Sequence, residues 1–294
     1  MFDNRGDQAE GLRRMLGLDR VRTIALLGAR RQAGTTTCVA NLAAALGLVG
    51  RRVLIVDEHY APSNVAGLFG INTRIELKHL LSGESSLGQV LQRGPQGVLL
   101  MPAAVGVRAL GRLTSLQRDQ AMVRLKSLDE LCDVVLVDAV APTPVQAAGF
   151  AGAAQETIVV MEPDVTSITQ TYARIKYLRV KYGVAHFRLL VNRASDAAVA
   201  RRAFDNLQQA ARGFLDAALE YAGTVPADPG IKLAARQHAP AVETAPQSPS
   251  SRGFQLIARN MLQWPAQLRG AASADTLFHR VIQSRRARAA GAGA

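Results

Sequence analysis

Apolar residues fall in two alternating patterns along this chain. Short unbroken runs, Ile24–Leu27, Val53–Val56, Val98–Met101, Val134–Val137, Ile158–Met161 and Leu189–Val191, have the length of strands buried on both faces. Between them, apolar residues recur at three- and four-residue spacing, as in Val39, Leu42, Ala43 and Leu46, or Tyr172, Ile175 and Leu178. Ile75–Glu84, Leu110–Leu131 and Gly253–Leu262 read as further helical regions, and Thr166 or Ser167 is placed to cap the helix through Leu178. Strand–helix alternation of this kind predicts a doubly wound α/β domain with a mostly parallel sheet. The domain spans 21–264, preceded by a short helix in 1–20 and followed by a linker and tail in 265–294.

Both ends carry amphipathic patterns. Leu12, Met15 and Leu16 share one face of the N-terminal segment. In the tail, Leu277, Phe278, Val281 and Ile282 gather on one side, with Arg280, Arg285, Arg286 and Arg288 around the other. A basic amphipathic helix suits an anionic membrane surface, while the same pattern also fits a helix docked on its own domain.

The formal charge of +12 on 294 residues points to an anionic partner, or to no more than a general richness in arginine. Cys38 and Cys132 stand alone in apolar segments, which excludes a disulfide framework and zinc spacings. The first residues lack an apolar signal core, and no run is long enough to span a bilayer, so a cytoplasmic location is expected.

The chemistry gathers at the ends of the strands. Gly28-Ala-Arg30-Arg-Gln-Ala-Gly34-Thr35-Thr36-Thr37 links the first strand to the first helix, where free backbone N–H groups can receive phosphate. Asp57 and Asp138 each end an apolar strand, as metal-positioning acids of P-loop proteins do.

The loop resembles the deviant Walker A motif of the MinD/ParA family, Lys-Gly-Gly-x-Gly-Lys-Thr-Thr. Aligned on the threonines, Arg30 takes the place of the signature lysine, Arg31 and Gln32 replace glycines, and Gly34, Thr36 and Thr37 match. Thr35 stands where the phosphate-binding lysine would be. After the second strand, Asp57 and Asn64 match the family's Asp-x-Asp and following asparagine, but His59 falls on the aspartate that positions the attacking water. A solvated loop histidine is the alternative reading of His59. The resemblance further implies Asn192 as the adenine contact, a strand-ending turn residue being the alternative.

Within that family, Asp7-Gln8-Ala9-x-x-Leu12-Arg13 resembles the N-terminal motif with which flagellar-number regulators of the FlhG/FleN type engage the GTPase FlhF. The wording around Leu81–Glu84 and Gly97–Ala104 is similar to the same regulators. The resemblance implies ATP/ADP and Mg2+ as cofactors, held by Arg30, Gly34, Thr35, Thr36, Thr37, Asn64 and Asn192, with Thr36, Asp57 and Asp138 on the metal. It implies a nucleotide-dependent homodimer, an FlhF-type partner, and peripheral attachment to a bacterial inner membrane through the tail; DNA binding is not expected. With Thr35 and His59 at two key positions, nucleotide binding is expected to be weak and hydrolysis slow or absent. A ParA-like DNA-partitioning protein and a cellulose-synthesis accessory ATPase are the alternatives.

Overall fold

A computed structural model describes residues 21–61, 64–142, 149–213, 215–265 and 273–291, the last helix with its side chains as far as residue 283. The expected partner motif Asp7, Gln8, Ala9, Leu12 and Arg13, and the Arg285 side chain, lie outside the described residues.

The strands are β1 (Arg22–Gly28), β2 (Val53–Asp57), β3 (Gln92–Arg93), β4 (Leu99–Pro102), β5 (Val134–Asp138), β6 (Glu156–Met161), β7 (His186–Ala194) and β8 (Ala218–Pro226). They form one sheet in the order β3-β4-β2-β5-β1-β6-β7-β8, and every neighbouring pair is parallel except β3 with β4. The larger helices are α1 (Thr35–Leu48), α2 (Ser115–Leu125), α3 (Val165–Tyr182), α4 (Ala197–Arg212), α5 (Pro249–Gln263) and α6 (Ala274–Gly291).

Strand alternation sorts the apolar side chains into two cores. Ala25, Leu27, Leu54, Val56, Val135 and Val137 face a core completed by α3, α4 and α6. Ile24, Leu26, Val53, Ile55, Val134 and Leu136 face the other, where α1 supplies Cys38, Val39, Leu42 and Leu46 and α5 supplies Phe254, Ile257 and Met261. The central strands are thus buried on both faces, which is why their sequences are continuous apolar runs.

Local expectations shift at three helix starts. Asp164 caps α3, accepting from the Ser167 amide at 2.8 Å, rather than Thr166 or Ser167. The Ser167 hydroxyl instead accepts from the Glu162 amide at 2.9 Å. Helix α5 begins at Pro249 behind the Ser248 cap, four residues before Gly253, because proline is well placed in a first helical turn. Helix formation in 75–84 is confined to Leu77–Ser82, with Glu76 as its cap.

The tail is not a separate appendage. Leu277, Phe278, Val281 and Ile282 are at most 3% exposed and belong to the first core. Phe278 meets Phe150 edge-on at 5.0 Å between ring centres, and the Arg280 guanidinium donates to the Ala153 carbonyl at 3.3 Å. The Ala274 amide donates to Asp129 at 2.6 Å, which anchors the helix start. The four apolar residues of the stripe expected to meet a membrane surface are therefore occupied by protein in this conformation. An amphipathic stripe satisfies itself against a domain by the same apolar burial that lipid would offer.

Candidate functional site

Parallel strands bring β1, β2 and β5 side by side with their carboxyl ends level, the place where open α/β sheets bind ligands. The phosphate loop leaves β1 at Gly28. A Cβ on Gly28 would stand 2.7 Å from the Arg30 carbonyl and 2.8 Å from the Thr35 hydroxyl, so the loop folds back on a residue without a side chain. Gly34 has φ +87° and caps α1 with no side-chain hydrogen bond. The first intrahelical bond is from the Cys38 amide to the Gly34 carbonyl, which leaves the Thr35, Thr36 and Thr37 amides without partners inside the helix. No acid stands in that first turn, so the positive end of α1 is offered to an anion.

The loop's departures have visible consequences. Gln32, in place of a glycine, takes φ +64°, the left-handed region that glycine occupies without cost. Arg30 is engaged within the chain: its guanidinium donates twice to Glu162 Oε2, once at 2.8 Å from Nε, and reaches Asp164 at 3.3 Å. Thr35 brings a hydroxyl against Gly28 where a lysine would extend an ammonium. Glu162 also accepts from Arg193 at 2.7 Å. Burial pushes the Glu162 carboxyl up, but hydrogen bonds from Arg30 and then Arg193 outweigh it and hold it below its ordinary value.

Two acids stand level at the ends of adjacent strands, Asp57 paired in register with Asp138. Asp57 accepts the His59 amide at 2.9 Å and the Val65 amide at 2.7 Å, and so shapes the loop after β2. Asp138 is fully buried, and neither of its oxygens accepts a well-formed hydrogen bond. The Thr36 hydroxyl and His59 Nε2, the latter 3.5 Å from Oδ1, are the polar groups that face it. Burial first, and then the neighbouring Asp138, push Asp57 up to about 7. Burial raises Asp138 to about 7 as well, against the Thr36 hydroxyl and with help from Glu58. A buried carboxylate lacking hydrogen bonds, beside a threonine hydroxyl at a phosphate-binding helix end, fits the hydrated Mg2+ that accompanies nucleotide phosphates. Among the described residues no group of three or more His, Cys, Asp or Glu side chains is placed to hold a metal ion by itself. The phosphate side fits less well, since the lysine ammonium has no counterpart at Thr35. When bound, Mg2+ would neutralise phosphate oxygens, with Thr36, Asp57 and Asp138 holding its hydration shell.

The remaining predicted residues separate. Asn64 caps the short helix Val65–Leu68, accepting the Gly67 amide at 2.8 Å, on the loop clamped by Asp57. Thr37 accepts the Asn41 side chain at its carbonyl. Asn192 is buried, and its side-chain amide donates to the Ala33 carbonyl at 2.8 Å, which ties the end of β7 to the phosphate loop. His59 turns toward Asp138 rather than standing free in solvent.

Two further residues shape the site. Glu58, the unspecified middle position of Asp-x-Asp, is 5% exposed and accepts the Val140 amide and the Phe150 amide, each at 2.8 Å. Those amides flank the loop that follows β5, so one carboxylate fastens both of its ends. Arg193 donates to the Gln32 carbonyl at 3.0 Å in addition to Glu162. Neither lies in a position that a motif singles out.

Fold and site together define an α/β protein of the P-loop NTPase class, with two acids level at adjacent strand ends beside the loop that opens α1. The sequence pattern of the family described as "Cellulose biosynthesis protein BcsQ" matches residues 21–260. The chain is similar to the antiactivator FleN of Pseudomonas aeruginosa, 31% identical over 272 residues, covering 92% of this chain and 97% of that one. It is 26% identical over 175 residues to the flagellum site-determining protein YlxH of Helicobacter pylori, 60% of this chain and 55% of the relative. The septum site-determining protein MinD of Pyrococcus horikoshii, solved with Mg-ADP, has a TM-score of 0.61 with 23% identity, over 82% of this chain and 96% of that one. The chain belongs to the MinD/ParA family.

Proposed function

We propose that this protein regulates the number or placement of flagella, as a MinD-like member of the FlhG/FleN type. The likeness to FleN along nearly the whole length of both chains carries this reading. The Asp7–Arg13 motif would engage an FlhF-type GTPase. Nucleotide and Mg2+ would bind at the loop, weakly, and drive association of two copies. Hydrolysis would be very slow, because Thr35 offers no ammonium and His59 no fixed negative charge. Contact with an anionic inner membrane would require α6 to leave its seat, exposing Leu277, Phe278, Val281 and Ile282.

A second reading, an accessory role in cellulose synthesis, is favoured by the match over residues 21–260. That match leaves out the N-terminal motif, which is where the two readings part.

The test is ATP binding and turnover by the purified protein, with magnesium and anionic liposomes, beside a Thr35→Lys/His59→Asp variant. A purified FlhF-type GTPase is assayed with and without the protein. Nucleotide binding with little turnover, and stimulation of the GTPase that disappears in a Gln8→Ala/Leu12→Ala variant, are expected. Failure to affect the GTPase would remove the flagellar reading in favour of the second. Rapid turnover by the unaltered chain would show that other groups have replaced the missing side chains.

A further inference from the structure

The last residue of interest on β7 is shaped for a task that the ladder does not need. Pairing with β8 shifts by one residue between Asn192 and Ala194, so Arg193 is the extra residue of a β-bulge. It has φ +56°, a left-handed conformation uncommon for a residue with a side chain. Its amide is tied to the Asn192 side chain at 3.0 Å, which fixes the turn. The bulge aims the Arg193 guanidinium at the phosphate loop, where Nη1 donates to the Gln32 carbonyl at 3.0 Å. The same nitrogen donates to Glu162, whose other oxygen holds Arg30, so the guanidinium is itself fixed in place. Strained backbone of this kind persists where its surroundings over-determine it, and such positions gather at functional sites.

We propose that Arg193 is a positioning residue that braces the phosphate loop in its anion-receiving shape and so substitutes for the conformational freedom of the missing glycines. The inference rests on the reading that this loop receives nucleotide phosphates. Arg193 and Asn192 grip successive carbonyls, those of Gln32 and Ala33. A trans peptide points its N–H opposite to its carbonyl. Holding the Ala33 carbonyl outward therefore turns the Gly34 amide inward, and holding the Gln32 carbonyl sets the Ala33 amide toward the Arg30 carbonyl, 3.4 Å away across the turn. With Gln32 in the left-handed region, the loop on its own would relax to other conformations. The brace supplies from β7 the order that its sequence no longer favours.

Binding of ADP and of inorganic tripolyphosphate to the full chain is measured by calorimetry, with amide hydrogen exchange over residues 30–37, for the unaltered protein, Arg193→Met and Arg193→Lys. Loss of a charge-assisted hydrogen bond predicts that Arg193→Met binds both anions roughly tenfold more weakly. Its loop amides exchange faster while the melting temperature stays within about 2 °C, the size of a surface change. Arg193→Lys keeps a donor for the Gln32 carbonyl and restores most of the affinity. Unchanged binding and exchange in Arg193→Met overturns the proposal, as does a weakening matched by a general loss of stability. If the unaltered protein binds neither anion, the nucleotide reading fails. The exchange comparison then decides on the brace alone, with faster loop exchange in Arg193→Met supporting it and equal exchange overturning it.

Discussion

Replacing Phe278 by alanine tests whether the tail helix belongs to the core. The ring is fully buried and contacts Phe150 edge-on at 5.0 Å. Truncating a buried phenylalanine costs about 3–5 kcal/mol through lost transfer energy and the cavity left behind. Loss of the aromatic pair accounts for about 1 kcal/mol of that. For a domain of this size, about 3 °C of melting temperature accompanies each kcal/mol, so Phe278→Ala should melt roughly 10 °C below the unaltered protein. Thermal unfolding followed by circular dichroism reads the effect, with Val123→Ala, 75% exposed on α2, as a control expected to change little. A Phe278→Ala shift as small as that of the control would refute the packing argument. The helix would then be a free amphipathic tail, and its apolar stripe would be open to lipid at all times. Under the docked arrangement, liposome binding and core packing compete for the same four side chains, and the unaltered apo protein should bind anionic vesicles weakly.

Three other outcomes follow from the site. Asp57 and Asp138 are raised to about 7 in the folded chain against 3.8 unfolded, so between those values the folded state holds protons that the unfolded state has released. Their contribution to stability is full below the unfolded value and is lost as pH rises through about 7. Asp138→Asn should therefore be more stable than the unaltered apo protein at pH 8, by at most about 4 kcal/mol, with the difference shrinking as pH falls and disappearing only below about 3.8, as read from urea midpoints. A lower midpoint for the variant at pH 8 would contradict the assignment of an uncompensated buried charge. Gln32→Gly relieves the left-handed residue at the cost of unfolded-state entropy, so its stability, read from urea midpoints, should match or exceed that of the unaltered chain by up to about 1 kcal/mol. Thr35→Lys should raise ADP affinity about tenfold in the same calorimetric assay, the worth of one charge-assisted contact to phosphate; no gain would mean that the loop does not present phosphate to that position.

Much of this architecture is written in local patterns. The apolar runs ending at Asp57 and Asp138 announce strands because residues buried on both faces need no alternation. The phosphate loop is legible from Gly28, Gly34 and the threonines, whose spacing meets a geometric demand. The partner of an amphipathic face is a different matter: Leu277, Phe278, Val281 and Ile282 would be spaced identically for lipid or for Phe150. Asn192 and Asp164 show the same limit, since which amide or carbonyl a polar side chain meets depends on strands and loops far away in sequence. Arg193 gives no signal at all, because its bulge is a matter of register between β7 and β8. Glu58 is silent for a related reason, as its two amides belong to a segment more than eighty residues further along the chain.

That carboxylate has a bearing on how the two acid-bearing strand ends are joined. Glu58 acts as a rivet between the end of β2 and both margins of the loop after β5, and a side chain on Gly149 would collide with it. One side chain thus couples two stretches of chain more than eighty residues apart, so that a change at either stretch is felt by the other through it. The strand ends that carry Asp57 and Asp138 are tied together by a third carboxylate standing between them in neither strand.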